Sequence, residues 1–279
     1  MAAGPGGDAR PAPAGADTVG VFRDRGLLAL DQRRYADAAQ SLQRVLAAAP
    51  DDDEAKLALG DAYLGLNRLD SALAGFEPLV SNGTPAVRAR ALQGVGIARL
   101  RQGDTAGATA LLRDAVAADA SLWRSWNALG HLYDGRREWE QAREAFGAAL
   151  RIRPDEALVY NNLGMSLLAS GRPAEALEAF DTALRLAPDL QVAEANIRIA
   201  LAWQGRYGEA LKGMTRDEVA TVLNNVGYIA TLRADYPEAE KYLHQAVAAS
   251  VSHFDTAQKN IDYLEQVKRG IDAGPDGMR

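Results

Sequence analysis

No cysteine occurs anywhere in this chain. That excludes disulfides, thiolate metal sites and a cysteine nucleophile, and leaves the redox compartment open. Aromatic residues make up only 6% of the sequence. A core must therefore be filled by small and aliphatic side chains, and alanine-rich helices must approach closely. There is no basic excess, with 31 Lys and Arg against 37 Asp and Glu and a net charge of −6, which argues against a nucleic-acid partner. No apolar run approaches the roughly 20 residues of a transmembrane segment. The opening MAAGPGGDARPAPAGAD has no apolar centre of the kind a signal peptide needs, and residues 1–18 read as a flexible tail.

Signatures of catalysis are missing too. His131, His244 and His253 have no spaced carboxylate partner. The GVG at 94–96 lacks the preceding strand and the third glycine of a dinucleotide loop. No nucleophile elbow, Walker loop or H-E-x-x-H motif is present. DDDE at 51–54 follows Pro50, where an aspartate caps a new helix and complements its dipole. The expectation is no enzyme, no catalytic residue, no metal, no cofactor and no small-molecule substrate.

What the sequence does contain is a repeat. Gly26, Gly60, Gly96, Gly130 and Gly164 are spaced 34, 36, 34 and 34 residues apart. Twelve residues after each stand Ala38, Ala72, Ala108, Ala142 and Ala176, and sixteen after each stand Leu42, Phe76, Leu112, Phe146 and Phe180. Small residues belong where two antiparallel helices cross, and large ones fill the spaces beside the crossing. Gly103, Gly171 and Gly205 suit the left-handed residue that ends a first helix, and Pro50, Pro154 and Pro188 stop second helices.

The pattern resembles the tetratricopeptide repeat (TPR), most clearly in WRSWNALGHLYDGRREWEQAREAFGAALRIRPDE and ALVYNNLGMSLLASGRPAEALEAFDTALRLAPDL. The resemblance implies an all-α fold, an α-solenoid of about seven helix-turn-helix units wound as a TPR superhelix. The units are 19–52, 53–88, 89–122, 123–156, 157–190, 191–219 and 220–253 within a domain spanning 19–270. A cap helix follows over 254–270, with a flexible tail over 271–279. Pro78 lies within a second helix, where a kink or early end is expected.

Ligands of TPR proteins usually meet the first helices. At the sixth position of three successive units stand Asn162, Asn196 and Asn225. These carboxamides either grip the backbone of an extended peptide or merely follow the common NLG wording of the repeat. Around them Leu158, Met165, Leu168, Val192, Ile199, Trp203 and Tyr228 form a second apolar stripe, as a surface for a protein or peptide partner would. The basic clamp with which chaperone-adaptor TPRs hold a C-terminal carboxylate is absent at the matching positions of the C-terminal units.

The unit 191–219 is short, with 29 residues. Its second helix, YGEALK, is predicted to last about two turns, with Gly213 ending it. Thr215 and Glu218 are expected to box a new helix starting at Arg216. Arg198 replaces the crossing glycine and is expected to leave the crossing for solvent or a carboxylate. With Asn196, Ala200, Gln204, Gly205, Ala210, Asn225, Tyr228 and the stretch NNVGYIATLR, this unit resembles the C-terminal half of TadD proteins. Those are TPR lipoproteins of the Tad pilus, considered pilotins for its outer-membrane secretin. The resemblance implies a secretin partner and a place on the periplasmic face of the outer membrane. The lipidated N-terminal cysteine of that family has no counterpart here, so a lipid anchor is expected only if such a cysteine precedes residue 1. The alternative is a cytoplasmic TPR scaffold or adaptor with an unrelated partner.

Overall fold

In the structure, a computed structural model, residues 16–250 and 255–272 are described. His253 and most of both expected tails lie outside them. Among the described residues there are fifteen helices and no strand, so the chain is all-α. It falls into two compact units, Met1–Leu132 and Tyr133–Arg279.

The first unit holds three hairpins and the start of a fourth first helix. They are α1 (Ala16–Asp31) with α2 (Tyr35–Ala48), α3 (Asp53–Gly65) with α4 (Leu69–Asn82), α5 (Pro85–Arg101) with α6 (Thr105–Ala118), and α7 (Trp123–Gly135). Helix α1 begins at Ala16, inside the stretch read as tail. Asp52 caps α3, its carboxylate accepting from the Ala55 amide at 3.0 Å. Helix α4 runs unbroken through Pro78 to Asn82, contrary to an early end. The carbonyl that loses its proline donor belongs to Ala74, and both residues are exposed, so water can satisfy it.

The second unit continues with α8 (Trp139–Ile152), α9 (Ala157–Ala169), α10 (Pro173–Leu186), α11 (Gln191–Trp203), α12 (Tyr207–Ala210), α13 (Val219–Leu232), α14 (Tyr236–Ala249) and α15 (Asp255–Asp272). Within it the first helices α9, α11, α13 and α15 neighbour one another in turn, as stacked hairpins of an α-solenoid do.

The glycine register has a direct physical cause. A Cβ added at Gly26, Gly60 or Gly96 would come within 2.5–2.8 Å of Leu42, Phe76 or Leu112. In the second unit the same holds for Gly164 against Phe180 and Gly227 against Leu243. The large residue sixteen places on therefore sits on the glycine itself, rather than beside the crossing. All five of these large side chains are buried. The GVG of α5 is likewise a packing device, with Gly94 against Phe76 and Gly96 against Leu112.

Candidate functional site

Helix α12 is the anomaly of the second unit. It has 4 residues, where α8, α10 and α14 each have 14. That is shorter than the two turns expected. The chain goes on through a turn, which Gly213 closes at φ +68. Helix α13 then starts at Val219, not at Arg216. The reason is local: the Glu218 amide donates to the Thr215 carbonyl at 3.1 Å, closing a turn over 215–218. One half of the expected box does form, with the Thr215 amide donating to Glu218 Oε2 at 2.9 Å. That bond holds the Glu218 carboxyl below its usual range.

Arg198 compensates for the missing helix. Of the two destinations expected, solvent or a carboxylate, it takes the carboxylate and stays 8% exposed. Its Nη1 donates to the Lys212 carbonyl at 3.0 Å, and its Nη2 pairs with Glu194 at 2.6 Å. The guanidinium thus satisfies a carbonyl at the end of the shortened segment from a position that is glycine in the full hairpins. Met214, which holds the sixteenth place here, lies in the link between the turn that ends at Gly213 and the turn over 215–218. Tyr207 anchors the stub from the other side. Its ring stands 5.8 Å from that of Tyr242 at 61°, and its hydroxyl accepts from Arg233 Nε at 3.3 Å. Burial pushes its phenol above the ordinary value.

The three asparagines expected in one row occupy three different environments. Asn196 is 7% exposed and donates to Asn161 Oδ1 at 2.9 Å, so its side chain is spent on tying α11 to α9. Asn260 ties α15 to α13 in the same way, donating to Asn224 at 2.8 Å. In the first clasp the fifth position of one unit meets the sixth of the next, and in the second the fifth position, Asn224, meets Asn260, the seventh residue counted from 254. At the junction of α11 and α13 the fifth position is Ala195, and no such clasp can form with Asn225, which is exposed. Asn162 is half-buried. Asn196→Ala should leave the Asn161 carboxamide buried without its donor, costing about 1–3 kcal/mol. Chemical denaturation followed by circular dichroism measures this, and Asn162→Ala serves as the milder control.

Where the clasp is missing, α11, α13 and the turn between them enclose a cavity of about 620 Å³. Ile199 and Asn225 line it, together with Glu194, Arg198, Asp217 and Val222. A second cavity, of about 580 Å³, is lined by Met165, Leu168, Trp203 and Arg233. Arg233 there also donates to the Trp203 carbonyl. Leu158, Met165, Val192 and Tyr228 are exposed on successive first helices. Leu158 and Met165 are seven residues apart and so share a face of α9. Tyr228 is met by Tyr263 of α15 at 6.1 Å between ring centroids. Of the ten groove residues expected from sequence, Asn196 alone is buried. Sequence reading missed Asn161, Asn224 and Asn260, although the doublets at 161–162 and 224–225 carried the signal. Among the described residues no group of His, Asp and Glu is placed to hold a metal, and no helix is long and apolar enough to cross a membrane.

Family models described as tetratricopeptide repeat match residues 29–94, 127–191, 164–220 and 219–255, most of the chain. The chain belongs to the tetratricopeptide repeat family. Such repeats are protein–protein interaction modules. Peroxisomal targeting signal receptors of Candida albicans and Yarrowia lipolytica are each 46% identical, over 48 and 44 residues. Those stretches are 17% and 16% of this chain and only 8% and 7% of the receptors, so the chain matches a small piece of each. Among solved structures, the Cut9–Hcn1 hetero-tetramer of the APC/C has a TM-score of 0.60 at 17% identity, covering 89% of this chain and 54% of that one. Pseudomonas aeruginosa pilF has 0.56 at 20%, covering 75% and 97%. A thermophilic TPR protein of Thermus thermophilus has 0.52 at 25%, covering 69% and 98%. At these identities the likeness establishes the fold.

Proposed function

We propose that this TPR protein is a non-enzymatic assembly factor. It holds a segment of a protein partner against the exposed faces of α9, α11 and α13, and the partner is the outer-membrane secretin of a Tad-type pilus. The observation that carries the binding surface is the apolar row Leu158, Met165, Val192 and Tyr228, each 37–47% exposed. Large apolar side chains repeated on adjacent helices mark a docking surface rather than scattered surface residues. The Tad reading is supported by the resemblance of 191–232 to TadD, through Gln204, Gly205, Ala210, Tyr228 and the shortened hairpin. It places the protein at the periplasmic face of the outer membrane.

The test is binding of the purified full chain to the periplasmic part of a Tad secretin. Met165→Asp and Tyr228→Asp, both at exposed positions, are expected to weaken it about tenfold each while leaving circular dichroism unchanged. No binding by the wild-type chain removes the secretin as partner. Equal binding by folded variants removes the row as the site.

A further inference from the structure

We propose that the cavity beside Arg198 is the seat of a short, basic, amphipathic helix supplied by a protein partner, which takes the position α12 leaves open. The proposal rests on reading the chain as a binding module, but not on the identity of its partner. In an antiparallel hairpin the C-terminal half of the second helix lies beside the N-terminal half of the first. Helix α12 has 4 residues against 14 in α10, so about 15 Å of helix is missing there at 1.5 Å per residue. The cavity of about 620 Å³ lies in that place, walled by Glu194, Ala195 and Arg198 from the N-terminal half of α11. Its volume is in the range of sites that bury a ligand.

The lining states what kind of helix fits. Ile199, Val222 and Ile229 give an apolar floor, which suits the apolar face of an inserted helix. Glu194, Asp217 and Glu218 stand around it against a single guanidinium, Arg198, which is already engaged by Glu194 and the Lys212 carbonyl. Lys212 and Arg216 are exposed on the same turn and do not line the cavity. With Glu194 and Arg198 paired to each other, Asp217 and Glu218 leave the lining net negative, which favours an occupant carrying lysine or arginine. The absent clasp between Ala195 and Asn225 leaves α11 and α13 untied at this point, while asparagine pairs tie the neighbouring junctions.

The probe is a synthetic peptide REAFGAALRIRP, the sequence of residues 143–154, which covers the last ten residues of α8 and carries three arginines against one glutamate. Its partner probe has glutamate in place of the last two arginines. Amide NMR titration of the full chain is expected to show shifts over 194–199 and 221–225 with the basic peptide. Binding should be at least about tenfold weaker for the acidic peptide and for Asp217→Asn. No shift at those amides with millimolar basic peptide, or equal binding of both peptides, overturns the proposal. Shifts confined to Met165 and Tyr228 overturn the seat while leaving the apolar row as a binding surface. A dimer of the free chain whose interface maps to the cavity overturns it by assigning the seat to a second copy.

Discussion

Arg198→Gly, which restores the residue found at this position in the other units, is expected to destabilise the second unit by about 3 kcal/mol. About 1 kcal/mol comes from placing glycine inside a helix. The rest comes from emptying a buried volume and stripping the Lys212 carbonyl of its donor at 3.0 Å. Arg198→Ala, which spares the backbone, should cost about 2 kcal/mol. The partner Glu194 has a side chain 53% exposed, so the ion pair itself adds little. Hydrogen exchange of α11 and α12 amides is the suitable readout, because repeat arrays open unit by unit. Unchanged protection in both variants contradicts the role assigned to the guanidinium.

Gly164→Val should have the opposite cause and a similar size, about 3 kcal/mol. A Cβ at 164 would lie 2.5 Å from the Phe180 ring, which is fully buried and has no room to swing. Valine adds two methyl groups to that clash, so α9 and α10 must separate. Gly171 supplies the control, since a Cβ there meets nothing within 4 Å although its φ of +78 disfavours other residues. Gly171→Ala should cost only about 1–2 kcal/mol, from backbone strain alone. If thermal unfolding ranks the two variants the other way, the crossing geometry is misassigned.

The hairpin register was legible because it is dictated by packing. A glycine and a large residue sixteen places on must touch, and that constraint recurs at Gly26, Gly60, Gly96, Gly164 and Gly227. The asparagines were harder for a reason of angle. Successive helix residues point about 100° apart, so within the doublets at 161–162 and 224–225 only the neighbouring helix decides which carboxamide is buried. Asn161 and Asn224 are buried, and Asn196 is buried with them although it shares a register position with Asn162. Helix α12 is shorter than its sequence predicts, although Leu211 and Lys212 are good helix formers. Propensity yielded there to the turn that Gly213 and the Thr215–Glu218 pair close. Pro78 failed to end α4 because its orphaned carbonyl faces water, a fact that depends on which side of the helix is packed.

The short hairpin is thus an open seat held in place by Arg198. The most direct measurement reads the sign of Arg198→Gly in two backgrounds. One is the natural chain. The other has Leu211–Val219 replaced by LEAFDTALRLAPDL, the sequence of 177–190, which restores a unit of full length. The account predicts that Arg198→Gly lowers the unfolding temperature of the natural chain and raises that of the completed one, where a phenylalanine needs the space over residue 198. A loss of similar size in both backgrounds would contradict it.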